Sequence, residues 1–413
     1  MSATVQHRET CRLCGGSKLE LALRLTPTPV GDDFVSEERR HVAQPTYPLD
    51  LMLCSDCGNV QLLNVVNPEI IYREYTYTSS ISLGLIEHFN QYAESVLRQA
   101  NPPDGSLIIE LGSNEGAMLR AFKSRGYRTL GIDPAREIAR HATESGIETL
   151  PTYFTAELAR TIRDERGPAA IMIANNVLAN IDDVSDVAAG IRTLLSPDGL
   201  FVFETSYRLD VVEKALIDTI FHEHLTYFSV KPLVSFFSPH GMELVDVERV
   251  ATKGGSLRGV VQLAGRHQRL SPSVAQLVAC ETKCGLDRPE TYQNLESRLS
   301  HMKNDLRALL ENLKAQRKTI AAYGAAVGLT TMIYHFDLGE LVSFIVDDNP
   351  GKQNTYSPGL HIPTLPSEAL YERKPDYVVI LAWRYAEAIR KKHQRYLEAG
   401  GHFIIPLPDI WII

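Results

Sequence analysis

The chain has 413 residues, is 44% hydrophobic and 22% charged, and carries a formal net charge of −8. That length allows two or three domains with a sizeable core, and the acidic balance argues against nucleic acid or an anionic membrane surface as partner, since both take a basic face. No apolar run reaches the roughly 18 residues that span a bilayer, and the start MSATVQHRET lacks the basic-then-apolar pattern of a secretion signal, so the expected location is cytoplasmic.

Residues 1–72 read as a zinc-binding module. Cys11, Cys14, Cys54 and Cys57 form two C-x-x-C pairs, each followed by glycine. Two such knuckles offer four thiolates to one tetrahedral Zn²⁺, and the glycines let backbone amides turn toward sulfur. The site would be closed and structural; two redox dithiols are the competing reading. Cys280 and Cys284 read as free thiols. Between the knuckles, PTPVGDDFV is a loop, and YPLDLMLCSDCGNVQLL reads as strand, knuckle, strand.

Residues 73–265 open on an aromatic stretch and a helix, then change period. Short apolar strands alternate with helices, which gives a parallel sheet wrapped by helices. The first strand runs into IIELGSNEG, with Glu110, Gly112, Asn114 and Gly116; Asp133 ends the second. An acid followed by G-x-x-x-G matches the first motif of class I S-adenosylmethionine (SAM) methyltransferases. A carboxylate at the second strand's end can accept both ribose hydroxyls, a geometry that NAD sites share, so NAD stays the rival cofactor.

Residues 266–318 read as a helical connector. Its long helix carries Leu295, Leu299, Met302, Leu306, Leu309 and Leu313 on one stripe. Residues 319–413 form a second α/β unit with its own Gly-rich turn. The expected fold class is therefore α/β: an N-terminal zinc-binding module, a central class I SAM methyltransferase Rossmann-like domain, and a C-terminal Rossmann-like α/β domain.

The stretch DTIFHEHLTYFS, residues 218–229, suggests a zinc protease at first sight. The H-E-x-x-H spacing requires histidine at position 226, which is threonine, and His222 and His224 stand only two apart. On a helix they would face different ways.

Taken together, CRLCGG, CSDCGN, YTYTSS, ELGSNEG, NNVLANIDDV, FHEHLTYFS, GGSLR, YGAAVG, DDNPGKQNTYSPGLHIP and GGHFIIPLP resemble the zinc-containing sugar C-methyltransferases along nearly the whole chain. The resemblance implies methyl transfer from SAM to a ring carbon of a nucleotide-linked, usually dTDP-linked, 4-keto-deoxysugar, and a place in deoxysugar and antibiotic biosynthesis. It implies His224 as general base with Glu223 beside it to fix its tautomer. His222, Tyr227 and Asn180 would be donors to the enolate or the sugar. Tyr75 and Tyr77, with Glu110, Gly112, Asn114, Gly116, Asp133, Pro134 and Asn175, would hold the cofactor, and Arg258, Tyr323, Gly324 and Lys352 the substrate. Three positions depart from the family pattern: Phe221 replaces a tyrosine, Asn180 a histidine and Val327 a lysine. Two other readings compete: the same scaffold acting on another carbon acid, and a SAM- or nucleotide-sugar-binding protein without catalysis. The sequence leaves the oligomeric state open, a monomer being compatible with it.

Overall fold

The computed structural model describes residues 4–72, 78, 84–266 and 270–413. Tyr75 and Tyr77 lie outside the described residues. Among these residues no helix is long and apolar enough to cross a membrane.

The zinc module is built on antiparallel strands Leu19–Leu23, Leu51–Cys54 and Val60–Leu62, with the second knuckle forming the turn between the last two. A fourth strand comes from far along the chain. Thr226–Tyr227 pairs antiparallel with Val60–Leu62, setting Thr226 opposite Gln61 and Tyr227 opposite Val60. The edge of the module's sheet is thus closed by the segment that carries His224.

The middle unit holds a seven-stranded sheet in the order Thr149–Leu150, Arg128–Ile132, Leu107–Leu111, Ala169–Asn175, Leu195–Ser206, Ser256–Leu263, Met242–Val250. Only Ser256–Leu263 runs antiparallel to its neighbours. The strand order reverses between Leu107–Leu111 and Ala169–Asn175, and the crevice at such a switch point is where open α/β sheets take their ligands. Leu107–Leu111 is buried throughout, as a strand covered on both faces must be. The helix Leu85–Ala100 covers one face through Phe89, Tyr92, Ala93 and Val96.

The C-terminal unit has five parallel strands, in the order Pro363–Pro366, Ile345–Asp347, Ile320–Tyr323, Tyr377–Ile380, His402–Ile405, with an antiparallel strand at each edge. Two helices, Pro272–Lys283 and Pro289–Ala315, connect it to the middle unit. The longer one buries Tyr292, Leu295, Leu299, Leu306, Leu310 and Leu313. Leu310 thus replaces Leu309 in the expected stripe, and Met302 and Leu309 are only half-buried. A stripe spaced at 3.5 residues drifts about 20° per heptad around a straight helix, which is enough to bring the next residue to the core face.

This helix joins the zinc module and the C-terminal unit in one hydrophobic core. Leu306 has 0% exposure there, so Leu306→Ala is expected to cost about 2–5 kcal/mol; denaturant unfolding followed by tryptophan fluorescence checks the value.

Candidate active site

The four cysteine sulfurs lie within 4.8 Å of one another, with Cys11–Cys57 and Cys14–Cys54 each at 3.6 Å. Tetrahedral Zn²⁺ with bonds of about 2.3 Å needs sulfurs about 3.8 Å apart, so the cluster fits the metal. The Gly16 amide donates to the Cys14 sulfur at 3.4 Å, in the way the Gly-bearing knuckle was expected to supply amides. Four thiolates leave no open position for substrate, so the metal is structural.

At the switch point the chain leaves Leu111 through Gly112, with φ 64°, and enters the next helix at Gly116, with φ 76°. A Cβ on Gly112 would stand 2.9 Å from the Val177 side chain. The bare backbone therefore lets the turn pack directly against Val177. Asp133 accepts from the Asn114 amide at 2.8 Å and the Ala135 amide at 2.9 Å, which ties the first strand's turn to the second strand's tip; Pro134 lies within the second of these contacts. Burial raises the carboxyl of Asp133, and raises that of Glu110 strongly. Glu110 Oε2, Ser113 Oγ and both amide atoms of Asn175 are buried without a hydrogen-bond partner among the described residues. Buried polar groups are normally paired, so this unsatisfied row at the switch point fits a polar ligand such as the methionyl and ribosyl ends of SAM.

Beside it, Glu204 accepts from His88 at 2.9 Å and from Arg258 Nε at 2.8 Å. The Arg258 guanidinium sits 4.0 Å above the Tyr92 ring. Arg258, expected among substrate contacts, is thus engaged within the middle unit.

The stretch from 217 to 227 lies across all three units. A 3₁₀ turn, Ile217–Thr219, leads into the bend that presents residues 221–224. The C-terminal helix Val327–His335 presses on it so closely that a Cβ on Gly328 would stand 1.9 Å from the Asp218 carbonyl oxygen. Thr331 Oγ1 donates to the Ile220 carbonyl at 2.6 Å. Val327 lies against Gly31 of the zinc module's loop; at that position the chain packs a side chain where the family pattern places a charge.

The two histidines diverge. His222 Nε2 donates to the Tyr47 carbonyl at 3.2 Å. His224 Nδ1 donates to the Thr219 carbonyl at 3.0 Å. A carbonyl only accepts, so the proton sits on Nδ1 and the lone pair on Nε2, which takes no hydrogen bond from any described residue. The tautomer is therefore set by Thr219 rather than by Glu223. Burial pushes His224 down to about 4, with Lys253 and Arg384 adding to the effect, so the ring is neutral at pH 7. Phe221 stacks on it, with centroids 4.4 Å apart and planes 26° off parallel. The residue that departs from the family tyrosine thus supplies a ring face. Tyr227 lies edge-on to His224 at 6.1 Å, and its hydroxyl donates to the same Thr219 carbonyl at 3.4 Å.

Glu223 is buried and its Oε1 has no hydrogen-bond partner among the described residues. Burial, reinforced by Asp32, pushes its carboxyl up to about 8, so it is protonated at neutral pH. Asn180 ends the turn Leu178–Asn180, with a buried, unpartnered Oδ1.

Several neighbours escaped sequence reasoning. Asp218 accepts from Arg384 at 2.6 Å and from the Trp383 indole at 3.2 Å. Lys253 is lowered to about 8, chiefly by desolvation, with Arg384 adding to the effect. Asp32 pairs with Lys352 at 2.6 Å, and that ammonium lies 4.5 Å from the Phe34 ring. Lys352 is thus held against the zinc module's loop. Asp218 lay inside the stretch that drew attention and Lys352 was already expected at the substrate; Asp32, Lys253, Trp383 and Arg384 come from segments with no motif of their own. Tyr323 donates to Asp348 at 2.8 Å, next to His393, and Gly324, at φ 105°, leaves its strand against Ala382.

Three family models match the chain in sequence: a zinc binding domain over residues 11–72, a methyltransferase domain over 86–247, and a C-methyltransferase C-terminal domain over 251–408. The C-methyltransferase NovU of Streptomyces niveus is 33% identical over 414 residues, which is 100% of this chain and 99% of its own. The ubiquinone biosynthesis O-methyltransferase of Pasteurella multocida is 26% identical over 126 residues, covering 27% of this chain and 51% of its own. Among solved structures, magnesium protoporphyrin IX methyltransferase from Synechocystis is 11% identical with a TM-score of 0.34, over 44% of this chain and 80% of that one. The full-length match and the ordered domain models agree with the cysteine cluster and the ligand-ready crevice: this chain belongs to the zinc-containing, SAM-dependent C-methyltransferases.

Proposed function

We propose that the chain methylates the ring carbon beside the ketone of a nucleotide-linked, dTDP-linked 4-keto-deoxysugar, with His224 as general base. The observation that carries this reading is the Nδ1–Thr219 hydrogen bond, which leaves Nε2 as a basic lone pair at the meeting point of three units. When bound, SAM supplies an electrophilic methyl group on sulfur. The protein must do the rest: take a proton from carbon, hold the negative charge that forms on the ketone oxygen, and exclude water. His224 takes the proton at Nε2 while Thr219 continues to accept from Nδ1. Glu223, neutral at pH 7, offers a carboxyl proton to an oxygen of the sugar. Asn180 donates a hydrogen bond but takes no proton.

Incubation with SAM and a panel of dTDP-4-keto-deoxyhexoses tests the reading. Mass spectrometry is expected to show one added methyl on a sugar, matched by released S-adenosylhomocysteine. No methylated sugar from any member of the panel would sink the substrate assignment.

Glu223 also makes a prediction about stability. A carboxyl with a raised folded pKa contributes stability that is present below its unfolded value, about 4.5, and lost as pH rises through about 8. Glu223→Gln keeps a neutral side chain at every pH. Its melting temperature relative to wild type is therefore expected to climb steadily between about pH 5 and pH 8, and thermal denaturation at several pH values checks the trend. A difference that stays flat would show that Glu223 is ionised in the fold.

A further inference from the structure

We propose that Arg12 is a positioning residue that transmits the geometry of the zinc knuckle to the base His224. The inference rests on the reading of His224 as base given above.

Arg12 stands inside the first knuckle, between ligands Cys11 and Cys14, and its side chain is wholly buried, at 0% exposure. Its guanidinium does not turn outward to solvent, as a knuckle arginine could. It runs inward and reaches three separate pieces of chain. Nε donates to Asp182 Oδ1 at 2.9 Å. Nη1 donates to the Leu62 carbonyl at the end of the zinc module's strand, and to the Leu225 carbonyl at 3.2 Å. Its own backbone amide donates to Gln61 Oε1 at 2.8 Å, and Gln61 sits opposite Thr226 in the sheet.

The destinations carry the argument. Leu225 is bonded to His224, and the guanidinium holds the carbonyl of the peptide one residue beyond the base. The Leu225 amide donates in turn to the Ala179 carbonyl at 2.8 Å, one residue before Asn180, and Asp182 follows two residues after Asn180. One planar cation therefore bridges the knuckle, the base segment and the Asn180 turn. His224 is fixed from one side by Thr219 and from the other by this bridge. A lysine is a single point charge and cannot reproduce a fork that serves three acceptors in different directions. If stability alone were at stake, an apolar filling would serve as well as a buried charge. Proton transfer from carbon is far less tolerant, because displacing a reacting group by about 1 Å costs about 10²-fold in rate.

The test uses full-length Arg12→Lys and follows two rates. The first is exchange of solvent deuterium into the carbon beside the ketone of dTDP-4-keto-deoxyhexoses, with S-adenosylhomocysteine present, which reports proton removal without methyl transfer. The second is kcat with SAM. Both are expected to fall about 10²-fold, with zinc content unchanged and with S-adenosylhomocysteine affinity and KM for the sugar held within about threefold. In a His224→Asn background, Arg12→Lys is expected to add no further loss, because groups acting through one another are not additive. Exchange within about threefold of wild type overturns the inference. So does a loss of activity that tracks loss of zinc or of S-adenosylhomocysteine binding, which would mark a structural role. If Arg12→Lys does not fold, Asp182→Asn removes one anchor at a half-exposed position and is expected to slow exchange about tenfold; unchanged exchange there overturns the inference equally. Absence of exchange in wild type itself defeats the base assignment, and this inference with it. Exchange in wild type that persists in Arg12→Lys defeats only the inference.

Discussion

Replacing His224 by asparagine is expected to lower kcat about 10²–10⁴-fold, the range supplied by a positioned general base, while leaving S-adenosylhomocysteine affinity unchanged. The amide can still donate to Thr219 but has no lone pair of comparable basicity to offer. The wild-type pH profile carries the same prediction with a sign. Burial pushes His224 down to about 4, so the base stays unprotonated as pH falls through the ordinary histidine range near 6.5. The acid limb of kcat/KM is therefore expected near 4 to 5, not near 6.5. Isothermal titration with S-adenosylhomocysteine and steady-state rates from about pH 4 to 9 check both statements. Near-wild-type turnover in the variant would remove His224 from the reaction.

Stripping the zinc is expected to have the largest effect on the fold. Structural zinc sites contribute on the order of 10 kcal/mol in isolated zinc modules, and this module's main sheet has only three short strands of its own. Metal-free protein, or Cys54→Ser, is expected to become protease-sensitive between residues 11 and 72 and to lose turnover in parallel. Cys11, Leu13 and Cys54 pack into the middle sheet's core, but the cofactor turn is built from that sheet's own strand ends, so S-adenosylhomocysteine is expected to bind still. Limited proteolysis, zinc analysis and titration of the ligand decide the matter. A metal-free chain with unchanged melting and turnover would show that the sulfurs hold together without the ion.

Much of this was legible in the sequence because its signals are local. Two C-x-x-C-G knuckles announce a metal wherever the fold places them, and a buried strand running into a Gly-rich turn announces a crevice. The phase of the long helix was nearly legible, missing only the drift that exchanges Leu309 for Leu310. What could not be read depends on tertiary partners without a spacing rule. The group that fixes the His224 tautomer is a backbone carbonyl, and any residue type could supply it. Thr226–Tyr227 is two residues long, too short for a period-2 pattern, and its partner lies in another unit. Asp32, Trp383 and Arg384 gather around the base segment from loops whose composition says only that they are loops. Phe221, which stands where the family pattern has a tyrosine, proved to be the ring stacked on His224.

The closing of the zinc module's sheet by Thr226–Tyr227 also fixes an order of events during synthesis. The module leaves the ribosome first, with all four cysteines available for metal, yet its strand Val60–Leu62 has no partner along its outer side until residue 227 has been made. An open strand edge is a template for pairing with other chains, and all three residues of this one are apolar or buried in the finished protein. For most of the middle unit's translation the nascent chain thus carries an unsealed edge, and His224 stands two residues before the strand that seals it. Fragments that stop before residue 226 are expected to bind zinc and to self-associate, whereas chains that pass it close the edge and place the base in one step.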